Sequence, residues 1–198
     1  MCLTYQNRKM IRLTILASGS GTNAENIIRY FNSSEDFKIT YVLTNNASAG
    51  VIERATSLGV RTRVFTRNEF YKTDDIVEFL KAESDFIVLA GFLWKVPENI
   101  LTAFPNKIVN IHPALLPKFG GKGMYGMHIH RAVVDHGERE TGITIHYVNE
   151  NYDEGSIIFQ KAVSLTKMDT PESVAEKIHI LEQENFPKVI EEVLMKEF

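Results

Sequence analysis

The run Asn110-Ile111-His112-Pro113 closes a stretch of β-forming residues. Side chains two apart on a strand point the same way, so Asn110 and His112 face one space. An amide donor beside an imidazole suits acyl transfer, where an oxyanion must be stabilised and a proton moved. Asp153, in the acidic connector NENYDE ahead of Gly155, is the third candidate. A carboxylate close to His112 favours the protonated ring. Taken singly, each has a plain structural reading: Asn110 as a turn former, His112 as a satisfied core histidine, Asp153 as a turn aspartate. Their combination is what points to chemistry. No GxSxG elbow occurs, and the single cysteine, Cys2, lies near the N-terminus, so the attacking group is assigned to a substrate.

A second chemical signal is Ser18-Gly19-Ser20-Gly21-Thr22-Asn23-Ala24, placed between a strand and a helix. Glycines let the backbone turn tightly and approach a ligand, and the helix N-terminus behind them offers free N–H groups to an anion. Thr22 and Asn23 add side-chain donors. No GxxxxGK[ST] is present, which excludes a Walker loop. Gly19-x-Gly21-x-x-Ala24 fits the dinucleotide fingerprint superficially. That fingerprint also requires an acidic residue closing the second strand, and Leu43-Thr44-Asn45-Asn46 stands there. A monophosphate fits better, with a simple connecting turn as the alternative. His128-Ile129-His130 invites a metal reading, but i and i+2 on a helix do not share a face, and no metal is expected. Lys118, Lys122 and Arg131 read as solvated, although the two lysines flank the expected site.

These residues must be positioned by alternating strands and helices. Residues 11–16 (IRLTIL), 38–43, 61–65, 86–91 and 107–112 read as strands. The unalternated FIVLAG is the pattern of a central parallel strand covered on both faces. Helices are expected at 23–31, after a Ser48 cap, after the Thr66/Glu69 capping box as one helix carrying Phe70, Ile76, Val77 and Leu80, from Pro97, over 128–136, and as more than one helix filling 171–196 behind Thr170-Pro171. Residues 113–127 hold two prolines and four glycines and read as a long loop. Residues 141–148 and 155–163 read as a strand pair. The expected class is α/β, a doubly wound, mostly parallel, Rossmann-like sheet with an antiparallel pair towards the C-terminus and ligands at the carboxyl ends of its strands.

The chain has 198 residues, enough for one domain with a full core; residues 1–10 read as a flexible tail and 11–198 as that domain. A net charge of −3 argues against a nucleic-acid partner. One cysteine leaves no intrachain disulfide and no Cys-based zinc site. The longest apolar run, Phe86 to Trp94, is far short of the ~20 residues needed to span a bilayer. A cytoplasmic protein without membrane contact is expected.

From about residue 11 to its C-terminus, through SGSGTN, NIHPALLPKF and GITIHYVNENYDEGSII, the chain resembles the phosphoribosylglycinamide formyltransferase family of folate-dependent formyltransferases. The resemblance implies transfer of the formyl group of 10-formyltetrahydrofolate, as co-substrate, to the amine of glycinamide ribonucleotide in de novo purine biosynthesis. It implies Asn110, His112 and Asp153 as the catalytic set and Gly21, Thr22 and Asn23 around the phosphate. His179 and Glu182 fall at the ribose or glycinamide end. Arg67, Leu93, Trp94, Lys95 and Val96 fall on the folate, with Asn110 and the segment Asn149, Glu150, Asn151, Tyr152 and Asp153. In the implied mechanism the amine attacks directly and Asn110 and a protonated His112 donate to the oxyanion. Asp153 keeps His112 charged and helps move the proton. Only small-molecule partners are implied, for a monomer or homodimer. The sequence departs from the family in the longer FGGKGMYGMHIH segment, at Trp94-Lys95, and at His179, where glutamine is common. The alternatives are a formyltetrahydrofolate hydrolase, an NAD-dependent oxidoreductase and a non-catalytic metabolite sensor; a methionyl-tRNA formyltransferase would need a further C-terminal domain.

Overall fold

The computed structural model describes residues 10–198, so the expected N-terminal tail lies outside the described residues except for Met10. The elements are β1 (Ile11–Leu16), α1 (Thr22–Phe31), β2 (Phe37–Thr44), α2 (Val51–Ser57), β3 (Arg61–Val64), α3 (Arg67–Tyr71) and α4 (Asp75–Glu83). They continue with β4 (Phe86–Leu89), α5 (Glu98–Ala103), β5 (Ile108–His112), α6 (Met127–Asp135), β6 (Glu140–Tyr147), β7 (Ile157–Ser164) and α7 (Pro171–Glu197). The strands form one sheet in the order β3-β2-β1-β4-β5-β6-β7. The first five are parallel, while β5–β6 and β6–β7 pair antiparallel. The expected antiparallel pair is present, and the change of direction starts one strand earlier, at β5.

Alternation along the strands divides the core into two layers. Val109 and Ile111 point into a layer with Ile27 and Phe31 of α1, Ile129 and Val133 of α6, and Ile178, Phe186 and Ile190 of α7. Ile108 points the other way, among Phe70, Ile76, Leu80 and Ile100 of α3, α4 and α5. Helices on both faces explain why all four residues of β4 are buried and apolar. Strand order reverses between β1 and β4, and in such sheets a crevice opens at the carboxyl ends there.

Three local expectations change. Ser48 does not cap α2; its N–H donates to Asn46 Oδ1 in a local turn, and Gly50 occupies the cap position. The Thr66/Glu69 capping box is present, but the helix it starts ends at Tyr71. Thr73 Oγ1 bonds Asp75 Oδ2 at 2.7 Å and restarts the chain as α4, so Phe70 and Ile76–Leu80 sit on two helices. The C-terminal stretch is one helix, α7, despite Pro187 in its interior. A proline removes the N–H that would bond the carbonyl four residues back. That carbonyl, Gln183 O, accepts instead from Asn26 Nδ2 of α1 at 2.8 Å. The missing helical bond is replaced by a tether between α1 and α7.

Candidate active site

A cavity of about 620 Å³ opens at the carboxyl ends of β1, β4 and β5. Gly19 to Asn23 form one wall, Asn110, His112 and Asp153 another, and Ile178, His179 and Glu182 of α7 a third. The glycine loop is built tightly. Gly21 caps α1 at φ +81, a left-handed conformation that side chains disfavour. Ser18 N–H donates to Gly91 O at 3.0 Å and Ser18 Oγ accepts from Leu93 N–H at 3.0 Å, stitching this loop to the one after β4. Arg54 reaches from α2 to donate to Ser20 O at 3.0 Å and also pairs with Glu25. The N–H groups of Thr22, Asn23 and Ala24 precede the first helical bond, from Glu25 N–H to Gly21 O, and so present an anion-receptive end.

The Asn23 amide is spent on α7. Its Nδ2 donates to Glu182 Oε2 at 2.9 Å, and its Oδ1 accepts from Gln183 Nε2 at 2.8 Å. The expected donor role therefore falls to the backbone and to what Nδ2 has left. His179 Nδ1 stands 3.9 Å from Glu182 Oε2, and that nearby carboxylate lifts its pKa above the ordinary histidine value against a smaller effect of burial.

At the opposite wall, Asn110 and His112 do share a face of β5, and the antiparallel register sets His146 opposite Asn110 and Thr144 opposite His112. His146 Nδ1 lies 2.8 Å from Tyr147 O, which can only accept, so Nδ1 carries a proton. In the neutral ring Nε2 then accepts from Asn110 Nδ2, at 3.1 Å, which fixes the amide with its second N–H free. His112 Nε2 donates to Phe119 O at 2.8 Å, and Nδ1 lies 3.5 Å from Asp153 Oδ1. Asp153 Oδ2 accepts from Gly121 N–H at 2.9 Å, and Oδ1 is 3.7 Å from His146 Nε2. Burial pushes the Asp153 carboxyl up, yet His146, His112 and the Gly121 N–H together hold it below the ordinary aspartate value.

His112 departs from expectation. It is 3% exposed, and burial pushes its pKa below the ordinary histidine value, outweighing the Asp153 carboxylate and the Phe119 carbonyl. Phe119 O can only accept, so Nε2 carries a proton, and Nδ1 is the nitrogen that faces Asp153. The direction of the shift runs against the protonated ring expected from the sequence.

Of the residues assigned to the folate, Leu93, Asn110, Tyr152 and Asp153 line the cavity. Arg67 lies over the rings of Tyr71 and Trp94 (5.2 and 5.6 Å), and Trp94 packs against Phe65, Phe70 and Phe92. Phe92 of this aromatic group lines the cavity beside Leu93, whereas Phe65, Phe70, Tyr71 and Trp94 stand behind it. Lys95 Nζ stands 6.0 Å from the Tyr152 ring, and Val96 is buried in the core. Asn149, Glu150 and Asn151 form the turn of the connector, with Asn151 N–H on Asn149 Oδ1 at 3.0 Å. His128 is exposed against Tyr125 whereas His130 is buried, so the pair does not converge. Sequence reasoning missed His146 as a partner of Asn110 and Asp153. Pairing GITIHYV antiparallel to KIVNIH with Asn110 opposite position 146 is the signal that finds it.

A sequence model of the formyl transferase family matches residues 11–190. The chain is 38% identical over 186 residues to the chloroplastic phosphoribosylglycinamide formyltransferase of Arabidopsis thaliana, covering 90% of this chain and 64% of that protein. To the phosphoribosylglycinamide formyltransferase of Bacillus subtilis it is 35% identical, covering 93% and 95%. The chain thus spans less than two thirds of the Arabidopsis relative but nearly all of the Bacillus one. The crystal structure of phosphoribosylglycinamide formyltransferase from Bacillus halodurans superposes with a TM-score of 0.84 at 35% identity, over 94% of this chain and 97% of that one. With the family pattern running through the glycine loop, β5 and the connector at Asp153, the chain belongs to the formyl transferase family.

Proposed function

We propose that this protein transfers the formyl group of 10-formyltetrahydrofolate to the amine of glycinamide ribonucleotide. The observation that carries this reading is one cavity holding Asn110, His112 and Asp153 on one wall and an anion-receptive glycine loop on the other. The names of the relatives support it. Holding both substrates in one cleft supplies rate by proximity. The amine attacks the formyl carbon, forming a C–N bond and an oxyanion. The free N–H of Asn110 donates to that oxyanion. The His112–Asp153 pair takes up the amine proton, shared between His112 Nδ1 and the Asp153 carboxylate, whose charge stabilises the imidazolium. The bond to the folate nitrogen then breaks, and the proton passes to that departing nitrogen. The single cysteine accords with a reducing compartment such as the cytoplasm.

The test is release of tetrahydrofolate from the formyl folate, followed with and without the ribonucleotide. Release only with the ribonucleotide is expected. Release without it makes the protein a hydrolase, and no release from folded protein overturns the reading.

A pH dependence follows from the same geometry. The active ring is uncharged, so kcat/KM falls as pH falls through the pKa of His112. Asp153 raises that pKa, so Asp153→Asn is expected to lower kcat and also to move the acid inflection to lower pH. An inflection that stays in place overturns the assigned effect of Asp153 on His112.

A further inference from the structure

Three buried side-chain polar atoms lack a hydrogen-bond partner among the described residues: Asn45 Oδ1, Thr141 Oγ1 and His130 Nδ1. Only His130 belongs to the cavity wall. It sits on α6, where its neighbours Ile129 and Val133 are core residues, and it is itself 6% exposed. A leucine at this position would fill the same wall without burying an unpaired nitrogen. His130 Nε2 has no protein partner and is not among the buried atoms, so it opens on the cavity.

Burial holds this ring in its neutral form, against a smaller opposing pull from Glu182. A neutral imidazole carries one N–H. Walling a bare lone pair into the core costs less than walling in an N–H, so the proton belongs on Nε2, as a donor aimed into the cavity. On the neighbouring helix α7, near enough to act on His130, Glu182 spends Oε2 on Asn23 and keeps Oε1 to accept. A donor and a carboxylate acceptor on one stretch of wall complement a group that both accepts and donates, which is a hydroxyl. A phosphate there would meet the Glu182 charge.

We propose that His130 is a binding residue for the ribosyl portion of the ribonucleotide, donating from Nε2 to a ribose hydroxyl whose own proton goes to Glu182. The inference rests on the ribonucleotide reading above. His130→Ala is expected to raise the KM for glycinamide ribonucleotide about tenfold, the worth of one hydrogen bond, with the KM for formyl folate unmoved. His130→Gln, which keeps an amide donor, is expected to recover much of that loss. In the wild-type protein the ¹⁵N resonance of His130 Nε2 is expected to shift with ribose 5-phosphate and to stay in place with inorganic phosphate. An unchanged ribonucleotide KM in His130→Ala, an equal rise in both KM values, or an equal response to inorganic phosphate overturns the inference while leaving formyl transfer intact. If the wild-type protein transfers no formyl group but His130 responds to ribose 5-phosphate, the inference stands and the transferase reading falls. If neither occurs, both fall.

Discussion

His112→Ala is expected to lower kcat for formyl transfer by about 10²–10⁴-fold, the range for removing a positioned proton-transfer group, while ribonucleotide affinity stays near that of the wild-type protein. The split follows from where His112 sits. Its Nδ1 faces Asp153 and its Nε2 is bonded to Phe119 O, whereas the anion-receptive groups lie on the opposite wall around Gly21 and Thr22. Initial-rate kinetics beside a ribonucleotide titration read both effects, and a melting curve reports whether the buried site still packs. A folded variant with near-normal turnover would remove His112 from the chemistry.

The second large effect is on the glycine loop. Gly21→Ala places a methyl group on a residue at φ +81, with Val51 Cβ and Cγ2 at 2.5 Å and Val51 Cα at 2.6 Å. The left-handed backbone costs roughly 1–2 kcal/mol and overpacking roughly 1–3 kcal/mol more. Because the backbone Cα of Val51 is among the atoms struck, trimming the valine side chain does not relieve the overlap. The loop must move, and the N–H groups of Thr22 and Asn23 move with it. The expected result is a loss of about 3 kcal/mol in stability by denaturant titration, with a marked loss of ribonucleotide affinity. Gly19→Ala is the control, since a Cβ there meets nothing within 4 Å, and it is expected to leave stability nearly unchanged. If Gly21→Ala proves as stable as Gly19→Ala, the loop has slack that this geometry does not contain.

What could be read from the sequence was what local chemistry writes into it. Thr66 and Glu69 announced a helix start because the capping box is satisfied within four residues, and FIVL announced a central strand because both its faces are covered. Asn110 and His112 were found by the two-residue period of a strand. The end of α3 was not foreseen, because the periodic apolar residues continue through it while Thr73 redirects the backbone. Long-range consequences were least legible. His146 reaches Asn110 only through strand register, and Trp94 is drawn into a cluster with Phe65, Phe70 and Phe92 that no spacing rule assembles. The charge state of His112 depended on a contest between burial and Asp153. Sequence supplies the carboxylate but not the depth.

Pro187 gives the cavity two banks of unequal stiffness. Because its absent N–H frees Gln183 O for Asn26, and because Asn23 is clasped by Glu182 and Gln183, the bank beside the glycine loop is cross-braced between segments about 160 residues apart. The facing bank is built from the glycine-rich stretch after Phe119 and the connector at Asp153, which meet through the bond from Gly121 N–H to Asp153. On the proposed reading the braced side is the ribonucleotide's, and differently shaped folates are expected to be accommodated at the other.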